Sequence, residues 1–174
     1  KARAAAPCVV FFDEIDALAG SRGRGAMGVQ ERVLGQLLAE MDGMRTNSHV
    51  VVVAATNRPD ILDSALLRPG RFDRLVYVPP PDTHTRTQII ELHLRRVPHS
   101  SDISAAVFGE KSAGFSGAEV VSMCKEASLC ALEEDLDCSE VQLRHFESAF
   151  ARITPQITAD MLRFYEDFQA SARK

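Results

Sequence analysis

Two apolar runs interrupt an otherwise mixed chain: "CVVFF" at 8–12 and "HVVVVAA" at 49–55. Short unbroken runs of this kind suit strands covered on both faces, as in parallel sheets. A weaker run, "LVYV" at 75–78, predicts a third strand. Between the first two runs, Val29, Val33, Leu37 and Met41 recur at i, i+4 spacing, which predicts an amphipathic helix over 29–41. Strand, helix and strand in that order make a βαβ crossover.

After "PPPD" at 79–82 the pattern becomes helical. Asp82 can cap a helix with Ile90, Leu94 and Val97 on one stripe, stopped by Pro98. "SGAE" at 116–119 is a capping box that opens a helix running to about Glu134. Ser139 with Gln142 repeats the device ahead of Leu143, Phe146, Phe150 and Ile153. Thr158 caps a last helix carrying Met161, Tyr165 and Phe168. The expected organisation is an α/β portion over 1–78 followed by an all-α subdomain over 79–174, with the proline run as the joint.

Composition narrows the field only slightly. The 174 residues are 45% hydrophobic and 25% charged, as in ordinary globular chains. A net charge of −4 gives no global attraction for nucleic acid or an anionic membrane. No run of about 18 apolar residues is present, and the basic start "KARAAAPCVV" is too short to be a signal peptide. Cys8, Cys124, Cys130 and Cys138 form no CxxC or zinc spacing, so core thiols in a reducing compartment are expected.

Chemistry gathers where the strands end. Ligands of open α/β sheets bind beyond the carboxyl ends of the strands. Asp13 and Glu14 follow the first strand directly, and "TNRPD" at 56–60 follows the second. Close carboxylates are costly unless a cation lies near. A Mg²⁺ ion carrying a triphosphate would partner Asp13, usually through a coordinated water. Glu14 could then deprotonate an attacking water. Asn57 offers an amide to that water or to the γ-phosphate. The alternative is a strand whose acids simply begin a helix, where the macrodipole favours negative charge. "DSALLRPGRFDR" at 63–74 sets Arg68 and Arg71 on either side of a Pro-Gly turn, suited either to phosphate or to surface ion pairs.

Taken together, "VVFFDEIDALAGSRG", "LLAEMDGM", "AATNRPDILDSALLRPGRFDR" and "GFSGAEV" resemble an AAA+ ATPase of the valosin-containing-protein type. The tail, "ALEEDL" then "ITPQITADMLRFYEDFQ", resembles most the second ATPase module of the spermatogenesis-associated protein five group. The fold implied is a partial P-loop NTPase (AAA+) α/β parallel sheet with helices, followed by an all-α lid subdomain. The resemblance implies ATP and Mg²⁺ as cofactors, with Asp13 and Glu14 as Walker B and Asn57 as sensor 1. It makes Arg68 and Arg71 fingers inserted into a neighbouring subunit's nucleotide, and sets Gly117 and Ala118 against adenine and ribose. It further implies a homo- or hetero-hexameric ring, a protein substrate in the pore, and release of maturation factors from large-ribosomal-subunit precursors. No nucleic-acid motif or membrane segment accompanies it, and the implied location is cytoplasmic with a nuclear pool.

Two glycine features gain meaning from the same resemblance. "GSRGRGAMG" at 20–28 contains a GxGxxG, but acids rather than a strand precede it, so a dinucleotide site is rejected. It resembles the second pore loop, with Arg22 and Arg24 toward the channel; a flexible glycine-rich surface loop is the alternative. Asp42-Gly43-Met44 resembles an inter-subunit signalling stretch, or else is an ordinary helix end.

A phosphate-cradling GxxxxGK[ST] loop does not occur: none of Lys1, Lys111, Lys125 and Lys174 follows a glycine. The expectation is a piece of a module beginning just before Walker B, inactive and with exposed sheet edges when isolated. An enzyme within a larger protein, a degenerate, non-catalytic scaffold and a nucleotide-regulated adaptor are the functional hypotheses.

Overall fold

The computed structural model describes residues 1–19, 27–43 and 49–172. The chain divides into two compact units, Lys1–Val76 with Asp167–Lys174, and Tyr77–Glu166.

In the first unit, β1 (Cys8–Phe12) pairs with β2 (Val50–Ala54) in parallel, with Cys8 opposite Val50 and Phe12 opposite Ala54. A single-turn helix α1 (Asp16–Ala19) and the longer α2 (Met27–Asp42) connect them, so the expected βαβ unit is present. Val10, Phe12 and Val52 share a cavity of about 250 Å³ with Leu37 and Met41 of α2. Leu37 and Met41 of the helix therefore lie over one face of the sheet, while Val33 is exposed.

The other face corrects the expectation of strands covered on both sides. Val9 is 67% exposed and Phe11 59%, and beside them Val51 and Val53 are exposed as well. Alternation along a strand sends successive side chains to opposite faces. With α2 on one face, no described element covers the second.

The third strand is also absent. Residues 75–78 are irregular, and Val76 and Val78 are 84% and 81% exposed. A strand needs a neighbour to take up its backbone hydrogen bonds, and no described strand pairs with this segment.

The second unit is helical: α3 (Thr83–Leu94), α4 (Ala105–Lys111), α5 (Gly117–Glu134), α6 (Leu143–Arg152) and most of α7 (Ala159–Ala172). Capping sets several of the helix starts. Asp82 Oδ1 accepts from Thr85 N–H at 2.7 Å, Ser116 and Glu119 form the complete capping box, and Thr158 Oγ1 accepts from Met161 N–H. The Ser139–Gln142 box is corrected. Val141 forms an isolated bridge with His99, so the helix begins after Gln142, whose N–H donates to His145 Nδ1 at 3.0 Å. Helix α3 ends at Leu94, short of Val97, and α4, capped by Ser104, is an addition to the expected set.

The core of this unit comprises Ile90, Phe108, Val120, Met123, Cys124 and Phe146 with their neighbours, and the Phe108 and Phe146 rings are 5.1 Å apart. Arg86 is buried there too. Its Nη1 donates to Pro81 O at 2.7 Å and its Nε to Gly109 O at 3.1 Å, tying the proline segment to α4. No helix among the described residues is long and apolar enough to cross a membrane.

Candidate active site

The backbone ladder of β1 and β2 continues past the strands. Ala55 N–H donates to Phe12 O at 2.8 Å, and Ile15 N–H donates to Ala55 O at 3.1 Å. Asp13 and Glu14 are thereby held beside Ala55 and Thr56, with Asn57 next in the chain. Residues 13, 14 and 57 share one edge of the sheet, and all three are exposed.

Glu14 adopts φ +48°, the left-handed region that non-glycine residues rarely occupy. Such conformations cost about 1–3 kcal/mol and persist where neighbours over-determine them. Here the neighbours are identifiable. Asp13 Oδ1 accepts from Glu14 N–H at 3.0 Å, the flanking bonds of Ala55 fix both sides, and Ile15, 2% exposed, anchors the start of α1.

A polar pair that sequence reasoning missed closes the edge. Thr56 Oγ1 donates to Asp16 Oδ1 at 2.7 Å and accepts from Arg58 N–H at 2.9 Å. Arg58 also grips Asp60 through Nε and Nη2, which pulls the Asp60 carboxyl below its usual range. The only advance signal was a hydroxyl residue beside Asn57 and a third acid after Glu14.

The arginine turn separates its two guanidinium groups. Arg71 N–H donates to Arg68 O at 3.1 Å across Pro69 and Gly70, and Gly70 has φ +86°. Proline at the second position and a left-handed glycine at the third give the type II signature. Arg68 is exposed, with no side-chain bond among the described residues. Arg71 is engaged within its own chain. It binds Asp42 of its own chain, Nε to Oδ1 at 3.1 Å and Nη2 to Oδ2 at 2.7 Å, while Nη1 donates to Ala65 O at 2.7 Å. The bond to Asp42 raises the Arg71 pKa.

Gly117 and Ala118 open α5 in the helical unit, Gly117 half-buried and Ala118 exposed. A Cβ at 117 would stand 3.8 Å from Ile89 Cδ1, an ordinary contact, so internal packing does not require glycine there. Arg22, Arg24 and Met44 lie outside the described residues.

The donor set at the edge suits a hard cation carried by a nucleotide. Asp13 presents an exposed carboxylate, and Mg²⁺ is commonly held by one or two carboxylates together with phosphate and water. Among the described residues no group of three or more His, Cys, Asp or Glu side chains gathers to hold a metal by itself.

Comparison with known proteins gives this edge its context. Residues 1–80 match the family model described as ATPase family associated with various cellular activities (AAA), and residues 102–148 match an AAA+ lid domain. The chain carries an AAA ATPase domain followed by an AAA+ lid domain. It is 49% identical over 171 residues to ATPase family gene 2 protein homolog A of Homo sapiens, covering 97% of this chain and 19% of that protein. Against ATPase family gene 2 protein of Saccharomyces cerevisiae it is 48% identical, covering 97% of this chain and 22% of that protein. A Cell division cycle protein 48 homolog of Archaeoglobus fulgidus is 43% identical over 95% of this chain and 25% of its own length. The chain thus spans about a fifth to a quarter of these AAA relatives.

Proposed function

We propose that the complete protein containing this AAA module hydrolyses ATP and couples hydrolysis to remodelling or threading protein substrates in a hexameric ring. The observation that carries the reading is that an acidic pair and an amide residue follow the adjoining ends of two parallel strands, which are tied together at Ala55. In it, residues 1–78 are the C-terminal part of the large α/β subdomain and 79–174 the lid. The 174 residues contain no GxxxxGK[ST] loop, so the activity is assigned to the complete protein.

Asp13 would hold nucleotide-bound Mg²⁺ through water, and Mg²⁺·ATP supplies the reactive γ-phosphate with part of its charge neutralised. Glu14 takes the proton of the attacking water, and Asn57 holds that water through its amide. Arg68 reaches the nucleotide of an adjoining subunit and stabilises charge developing there. Arg71 braces the turn that presents Arg68. Gly117 and Ala118 would lie against adenine and ribose.

The tail sequence and the ATPase family gene 2 relatives support the narrower assignment to the spermatogenesis-associated protein five type. On that assignment, the substrate is a maturation factor on a large-ribosomal-subunit precursor, and the protein works in the cytoplasm with a nuclear pool. Retention of Asp13, Glu14, Asn57, Arg68 and Arg71 together counts against a decayed scaffold.

The deciding experiment is Glu14→Gln in the complete protein. Fluorescent-nucleotide binding is retained, and turnover falls by about 10²–10⁴, the usual worth of a positioned base. Turnover equal to the parent's removes Glu14 from the mechanism.

A further inference from the structure

The Thr56 hydroxyl is a single node between two segments of the proposed site. It has one proton, which it gives to Asp16 Oδ1 at 2.7 Å, and its lone pairs accept Arg58 N–H at 2.9 Å. Asp16 lies two residues beyond Glu14, and the Thr56–Arg58 bond encloses Asn57. The proton given to Asp16 fixes the rotation of the hydroxyl, and that rotation aims a lone pair at the Arg58 amide. The backbone bonds of Ala55 set the strands side by side but end before Asn57, so this hydroxyl extends the tie from the Glu14 segment to the Asn57 turn.

From this geometry we infer that Asp16 and Thr56 are positioning residues that set the separation of Glu14 and Asn57, and hence where a water can be held between them. The inference rests on the proposed roles of Glu14 and Asn57. The pair acts on catalysis through those two residues. Glu14 is the point at which such a tie matters most. Its left-handed backbone is held only by its surroundings, and loosening Asp16 removes one support on its C-terminal side.

The test uses the complete protein with Thr56→Val, which keeps the shape and removes the hydroxyl, Thr56→Ser, which restores it, and Glu14→Gln. Four quantities are read: kcat, KM for ATP, affinity for a fluorescent ATP analogue, and amide exchange of the peptide spanning residues 56–61 without nucleotide. Displacing a reacting group by about 1 Å costs on the order of 10²-fold. Thr56→Val is therefore expected to lower kcat by about 10- to 100-fold, with KM and analogue affinity within about twofold of the parent. Exchange in residues 56–61 rises in the valine variant and returns to the parental rate in the serine variant, as does kcat.

The inference is overturned if Thr56→Val keeps parental kcat while Glu14→Gln loses turnover; the proposed function then stands without it. Equal losses in kcat and analogue affinity also overturn it, since the pair would then serve the fold generally. Parental turnover in Glu14→Gln overturns the proposed mechanism itself, and the inference with it.

Discussion

Arg71 is clamped to Asp42, 29 residues earlier in the chain, by two hydrogen bonds that match the fork of the guanidinium to the fork of the carboxylate. Asp42 ends α2 and Arg71 ends the Pro-Gly turn, so the clamp connects the crossover helix to the loop carrying Arg68. Lysine cannot reproduce a bidentate contact. The two arginines should accordingly fail differently. In the complete protein, Arg68→Ala is expected to cut turnover by about 10³–10⁵, the range of an arginine finger. Arg71→Lys and Asp42→Ala should resemble each other, with smaller losses, because both release the same clamp. Steady-state turnover of the three variants measures this. A loss in Arg71→Lys exceeding that in Arg68→Ala would reverse the assignment.

The clamp also marks where sequence reading stops. Helix α5 was legible from end to end because Ser116 and Glu119 state its start within four residues. The βαβ order was legible because α2 carries its own periodicity and both strands are unbroken apolar runs. The features that escaped depend on distant partners. "LVYV" has strand composition but no described neighbour, and α6 begins late because Val141 is engaged with His99, far away in sequence. In the site, Asp13, Glu14 and Asn57 could be named from motif and strand ends. The Thr56–Asp16 bond spans 40 residues and leaves no local pattern, and the inward turn of Arg71 comes from its pairing with Asp42.

Burial is uneven between the two units, and stability should track it. The helical unit buries Ile90, Phe108, Val120, Met123 and Phe146 at 1% exposure or less. In the first unit, the described hydrophobic residues buried to a comparable class are Ile15, Met41 and Leu66, while Val9 and Phe11 face outward. Amides of α3, α5 and α6 are therefore expected to exchange only on global unfolding of the helical unit, and those of β1 and β2 well before. Phe146→Ala should lower the stability of the helical unit by about 3–5 kcal/mol and leave exchange in the strands unaltered. Hydrogen exchange on the 174-residue chain checks both. Protection of β1 and β2 equal to that of α5 would show that the exposed sheet face carries no penalty.

Acid should loosen the helical unit through one carboxylate in particular. Glu134, the last residue of α5, accepts from Arg144 Nε at 3.0 Å and Nη2 at 2.7 Å. It also accepts from His145, whose Nδ1 takes the Gln142 N–H, so the ring proton sits on Nε2, 2.8 Å from Glu134. Arg144 first, and His145 second, pull the Glu134 pKa from 4.5 down to about 2. With the folded pKa depressed, the unfolded chain takes up the proton first as pH falls. The contribution is complete above the unfolded value of 4.5 and disappears as pH approaches 2. Denaturant midpoints taken between about pH 6 and pH 2.5 should fall less steeply in Glu134→Gln than in the parent, and the two curves should converge at the acid end. Asp82 and Glu119, whose carboxyls are also held below their usual range, contribute equally to both curves and cancel in the difference. Parallel curves across that window would mean that the α5–α6 clasp survives protonation of Glu134.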